Sequence, residues 1–99
     1  MLTRKQVLKK ITERPSKISF LPPVWLTDRE IVLTALRLDG LVLGDFTPAM
    51  QDDEEYVLEA YKNNWESLRY ASNRLTSDAT FMNEILAHTK EEDPQAGLL

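Results

Sequence analysis

Apolar residues along the chain recur as two adjacent pairs with two positions between them: Ile31, Val32, Ala35 and Leu36, then, 25 residues later, Tyr56, Val57, Ala60 and Tyr61. The spacing i, i+1, i+4, i+5 puts all four side chains on one stripe of a helix with 3.6 residues per turn. The offset of 25 reaches beyond the stripe. Asp28 pairs with Asp53, Glu30 with Glu55, Leu33 with Leu58 and Leu43 with Leu68, without insertion over residues 26–75. Taken backwards, the register sets Thr3, Val7, Leu8, Ile11, Ile18 and Trp25 on Asp28, Val32, Leu33, Leu36, Leu43 and Met50. Taken forwards, it sets Asp78, Phe81, Met82 and Leu86 on Asp53, Tyr56, Val57 and Tyr61. The chain thus reads as one domain over residues 1–88, made of units 1–25, 26–50 and 51–75 and a capping helix over 76–88, with a flexible acidic tail over 89–99.

Each unit opens with Thr or Asp three or four residues before its apolar pair, where a side-chain oxygen can accept from the unpaired N–H groups of a first helical turn. The carboxylates beside Asp28 and Asp53 suit the positive end of the helix dipole. The helices should stop near Asp39-Gly40 and Asn63-Asn64, residue types that tolerate a left-handed terminal conformation, and at Pro15, which cannot continue a helix. A shorter segment follows, holding Ile18, Leu43 or Leu68, one or two turns long and in part 3₁₀. A loop then completes the 25 positions. Ala35 and Ala60 sit mid-stripe, where a small side chain lets a neighbouring helix come close. A hairpin of this size cannot bury its stripe alone, so neighbours must share a core. The expected fold is all-α: tandem 25-residue helical hairpin repeats stacked as a short solenoid-like or compact helical array.

The motif Asp-x-Glu-x-Val-Leu-x-Ala, followed by Asp-Gly or Asn-Asn, a Leu three or four residues on and Tyr70-Ala71-Ser72 before the next unit, resembles the family known as domain of unknown function 4116. The resemblance covers roughly residues 26–86 and is best over 28–40 and 53–75. The first unit departs from it, with Thr3 in place of Asp and Pro15 after the helix. The resemblance implies helical repeats in tandem arrays, seen mostly in intracellular bacteria and protists. It supplies no activity and no catalytic residue.

Composition narrows the function classes. The 99 residues include no Cys, which removes disulfides, thiolate catalysis and Cys-based zinc sites, and only three Gly, which removes a glycine-rich phosphate loop. There is no apolar run of signal-peptide or membrane-spanning length, so the chain is expected in the cytoplasm, or secreted without a cleaved signal peptide if it belongs to an effector. The net charge of −4 hides an asymmetry: residues 1–25 carry six basic residues against one acidic, and the later blocks are acidic. Such ends favour head-to-tail contact, or contact of the first unit with an anionic surface.

No side chain arrangement points to catalysis or to a cofactor. Asp52, Asp53, Glu54 and Glu55 can be drawn as a metal or acid/base cluster, but Asp53 has counterparts in Asp28 and Asp78, so the run reads as a helix start. His88 has no Ser or Cys partner signature and lies near the end of the last helix, where it can meet terminal carbonyls. Residues 39–45 lack the ligand spacing of a calcium loop. The basic residues Arg4, Lys5, Lys9 and Lys10 are the candidate anion site, although an acidic chain disfavours nucleic acid. Residues 21–25 contain Pro22-Pro23 and Trp25, and the register assigns Trp25 to the core. More informative are apolar residues where other units are polar: Trp65 on Gly40, Leu38 on Asn63, Leu41 on Glu66, and Phe20 on Asp45 and Tyr70. They are the candidate protein-binding residues. The reading is a non-catalytic protein-interaction or scaffold module, in the setting of a bacterial effector or a free small protein, acting as a monomer or weak homo-oligomer towards an unidentified protein partner. The alternative is a binder of an anionic ligand, nucleic acid or membrane surface, through the first unit.

Overall fold

A computed structural model describes residues 2–92, with side chains to residue 88. All regular elements among the described residues are helices, without strands. Helix α1 (Arg4–Glu13) is followed by a 3₁₀ arm (Pro15–Phe20) and a second 3₁₀ segment (Pro23–Thr27). Helix α2 (Arg29–Leu38) is followed by a second arm (Gly40–Asp45) and the one-turn α3 (Pro48–Gln51). Helix α4 (Glu54–Asn63), a third arm (Trp65–Tyr70), the one-turn α5 (Asn73–Thr76) and α6 (Ala79–Glu92) complete the order.

The helix starts are where the capping residues predict. Asp28, Asp53 and Asp78 accept through Oδ1 from the N–H of Ile31, Tyr56 and Phe81 at 3.2, 3.1 and 3.1 Å. Thr3 forms a capping box instead: its hydroxyl accepts from Gln6 N–H, and its own N–H donates to Gln6 Oε1. The stripes are buried as expected. Ile31, Val32, Ala35, Leu36, Val57, Ala60, Ile18 and Leu43 are fully buried, and Tyr61 and Leu68 are half-buried. Trp25 and Met50 are half-buried at the position where Leu75 is fully buried.

Three expectations need correction. First, the connection closing each unit is not a loop but a short helical segment, because Pro23 and Pro48 stand where proline starts helical turns well and Thr47 and Ser72 cap the turns that follow. Second, the helices end without a left-handed residue. Arg14, Asp39 and Asn64 are extended, at φ −151°, and no described residue has positive φ. Asp39 and Asn64 instead cap the arms, accepting from Leu41 N–H and Glu66 N–H. Third, the last helix runs to Glu92, past His88, so His88 stands a turn before the end. Of the proposed tail, residues 93–99 lie outside the described residues.

Gly40 is glycine because of a neighbour. A Cβ there would lie 2.2 Å from the carbonyl oxygen of Ala60, so the second arm rests on the α4 backbone at the very place where α4 carries its small side chain. Asn63 closes the contact. Its Oδ1 accepts from Gly40 N–H at 2.7 Å, and its Nδ2 donates to Arg37 O at 2.9 Å. One unit earlier, Pro15 has no N–H to satisfy, and the residue at the Asn63 register is Leu38.

Helix α6 uses its stripe differently. Phe81 and Ile85 are buried, whereas Leu86, at the register of fully buried Ile11 and Leu36, is 53 % exposed. The helices of the earlier units are each followed by an arm, and no described arm follows α6. In the third arm, Ser67 is fully buried with its hydroxyl unpaired. It stands at the register of the buried Val42.

Gly40→Ala should destabilise by about 1–3 kcal/mol through overpacking, although alanine normally helps helical segments. Ser67→Ala should stabilise by about 1 kcal/mol by removing a buried unpaired hydroxyl. Urea unfolding followed by circular dichroism measures both, and an unchanged Gly40→Ala protein would refute the close contact.

Candidate interaction surfaces

Ion pairs join the helices in register. Arg4, at the first turn of α1, reaches the cap carboxylate Asp28 at 2.7 Å and Glu30 at 3.1 Å. Arg29, 25 residues on, reaches Asp53 at 2.7 Å and also Glu55, while its guanidinium lies 4.4 Å from the centre of the Tyr56 ring. Asp28 and Asp53 therefore each hold their own helix and the arginine of the preceding one, whereas Asp78 caps α6 with Glu54 at the register of that arginine. A second row starts from Arg37, which pairs with Glu59 at 3.1 Å, and Lys62 joins the same carboxylate at 3.4 Å. Asp52 caps the end of α3 and accepts from the Ser72 hydroxyl and from Arg74 Nε at 2.8 Å. It is thus not part of the α4 first turn, to which the sequence reading assigned it.

The electrostatics follow from these contacts. The hydrogen bond from Arg4 holds the Asp28 carboxyl below its ordinary value, against partial desolvation. Asp52 is lowered by the bonds from Ser72 and Arg74. For Asp53, burial pushes upward, and the bonds from Arg29 and Tyr56 N–H outweigh it, so the result is again lowered. The partner arginines Arg4, Arg29 and Arg74 are pushed further up.

Between the start of α4, Arg74 and α6 runs an open groove of about 630 Å³. Six carboxylates and two arginines line it, around Leu58. The arginines are the paired Arg29 and Arg74, and Glu54 and Glu84 make no ion pair among the described residues. No group of three or more His, Asp and Glu among the described residues is placed to hold a metal ion. No helix among them is long and apolar enough to cross a membrane.

The candidate protein-binding residues are all exposed: Phe20 at 87 %, Trp65 at 70 %, Leu38 at 45 % and Leu41 at 39 %. Phe20 and Trp65 stand on the first and third arms, which the second arm separates. The reason for Phe20 is visible in the other arms. At its register, Asp45 accepts from Ser19 Oγ, and the Tyr70 ring covers Gly44 so closely that a Cβ there would lie 2.8 Å from it. Val24 and Leu86, at 64 % and 53 %, are exposed apolar residues the sequence reading missed. Leu86 carried the stripe signal of a buried residue, and nothing local could have removed it. Among the basic candidates Arg4 is engaged by Asp28 and Glu30, Lys5 and Lys9 are exposed without an ion pair among the described residues, and Lys10 is half-buried.

Residues 53–89 match the model of a family described as Domain of unknown function (DUF4116). The match begins at the cap Asp53 and takes in α4, the third arm, α5 and most of α6. No curated protein and no solved structure matches the chain.

Because Asp28, Asp52 and Asp53 bind protons more weakly in the folded protein than in the unfolded chain, they contribute stability that is fully present above their ordinary value of 3.8. That contribution is lost as pH falls below it and the folded carboxyls protonate. Urea midpoints should therefore fall steeply from about pH 4 downward, and Asp28→Asn should flatten the fall. A midpoint that stays level to pH 2.5 would contradict the ion-pair rows.

Proposed function

We propose that the chain is a short, solenoid-like stack of three 25-residue helical units closed by α6, and that it serves as a non-catalytic module that binds another protein. One observation carries the reading: contacts between successive units repeat at fixed offsets, while large apolar side chains that those contacts do not use stand exposed. The offsets are those of Arg4 to Asp28 and Glu30, and of Arg29 to Asp53 and Glu55. In a stack, each unit's helix buries one face on the unit before it. Ile31 with Ala35 and Tyr56 with Ala60 supply that face, and at the same register α1 has Gln6 and Lys10. A polar outer face of this kind suits a terminal unit. The apolar residues left over, Trp65, Leu38, Leu41 and Phe20, are exposed, and Trp65 is of the type that anchors partners. A role in the cytoplasm, or in an effector exported without a cleaved signal, fits this reading.

The alternative, an anionic ligand held by Arg4, Lys5, Lys9 and Lys10, is weakened by the ion pairs that already engage Arg4. The two readings part in one experiment. A partner captured by the parent should be lost with Trp65→Ser/Leu41→Ser and kept with Lys5→Ala/Lys9→Ala. Because these side chains are exposed, stability should change by only about 0.5 kcal/mol per substitution, so loss of binding is not loss of fold. Retention by the Trp65 variant, with salt-sensitive loss in the lysine variant, would favour the anionic ligand instead.

A further inference from the structure

The first-turn row of ion pairs ends with its sign reversed, whereas the row that starts from Arg37 continues with a cation, Lys62. Within the chain, the donor position at the first helical turn is Arg4 and then Arg29, and the next residue at that register is Glu54. The acceptor positions are Glu30 and Glu55 in one row and Glu59 in the other. At those registers the first helix carries Lys5 and Lys9. Since Glu30, Glu55 and Glu59 face the helix before their own, Lys5 and Lys9 belong to the face of α1 turned away from α2. That helix face is unpartnered: both lysines are exposed and make no ion pair among the described residues. They lie at i and i+4, on the same side of the helix. The groove beside α4 is the complement. It is open, it has Leu58 at its side, and its carboxylates Glu54 and Glu84 are equally without ion pairs among the described residues.

We propose that the Lys5–Lys9 face of α1 docks into this groove on a second copy of the chain, head to tail, with the lysines meeting Glu54 and Glu84. The proposal rests on the reading of the chain as an interaction module and names a partner for it. The contact uses the chemistry by which the helices of one chain are joined, a cation of one helix on a carboxylate of another. The opposite charge of the two patches has a consequence for specificity. Groove against groove brings carboxylates together, and α1 against α1 brings lysines together, so the two symmetric pairings are disfavoured and the unlike ends are selected. A contact between two different patches leaves one of each free on every pair, so copies add in rows or close into rings.

The test uses the whole chain. Sedimentation across a concentration series should show average mass rising with concentration at about 0.01 M salt and returning to monomer at about 1 M, where screening acts over about 3 Å. K5E/K9E and E54K/E84K should each remain monomeric at low salt. For E54K/E84K this is a stringent expectation, because the net charge of −4 becomes 0 and general repulsion between copies is removed. An equal mixture of the two variants should associate again, since each then presents the complement of the other. Where circular dichroism shows that a reversed variant does not fold, the neutral K5Q/K9Q or E54Q/E84Q protein takes its place and should weaken association at least tenfold. A parent that stays monomeric at low salt, variants that associate like the parent, or a mixture that does not associate would each overturn the proposal. A monomeric parent whose Trp65 variant still loses a captured partner would overturn only this inference and leave the interaction module standing.

Discussion

Each ten-residue helix in this protein is too short to hold itself together in water, and each six-residue arm is shorter still. Stability must come from burying one stripe against the arm that follows and the other side against the next helix. That requirement explains why Val7, Ile11, Ile18, Val32, Leu36, Leu43 and Val57 are all fully buried although no single unit has an interior. It also explains the small residues. Gly40 and Ala60 meet backbone to backbone, because the arm must come within reach of the next helix for the two stripes to become one core.

The polar contacts are arranged around the same joints. A cap aspartate satisfies a helix's own N–H group and receives the arginine of the helix before it, so local and long-range structure depend on one carboxylate. Asn63 does the corresponding work at the other end, bonding both Gly40 N–H and Arg37 O. Where the need disappears, the residue changes: Pro15 offers no N–H, and Leu38 replaces asparagine. An exposed leucine at that point is thus partly a record of a hydrogen bond that is not required.

The surface follows from the ends of the rows. The helix at one end is polar and basic on its outer side, and the groove near the other end is acidic, so the molecule is polar in the electrical sense along its length. Its apolar exposed residues include Phe20 and Trp65, which stand on arms separated by a third. On the proposed reading, two unlike charged ends and separate exposed apolar residues would let one module engage more than one neighbour at once.

The sequence by itself determined the helix starts, and for the first three ten-residue helices the buried stripes and the stopping points, because capping and helical periodicity depend on residues three or four positions apart. The caps at Asp28, Asp53 and Asp78 and the stripe around Ala35 and Ala60 were legible in this way, and so was the exposure of Trp65, Leu38, Leu41 and Phe20, through their mismatch with other units. Contacts between residues some 25 positions apart were decided by the tertiary structure. It engaged Arg4, a candidate for binding an anion, with Asp28 and Glu30, and it moved Asp52 from a supposed helix start to a bond with Ser72 and Arg74. It gave Gly40 a steric reason in place of a conformational one. It left Leu86 open while burying Ile85 beside it, since two adjacent apolar residues on a helix look alike in sequence and only the neighbour that packs there chooses between them.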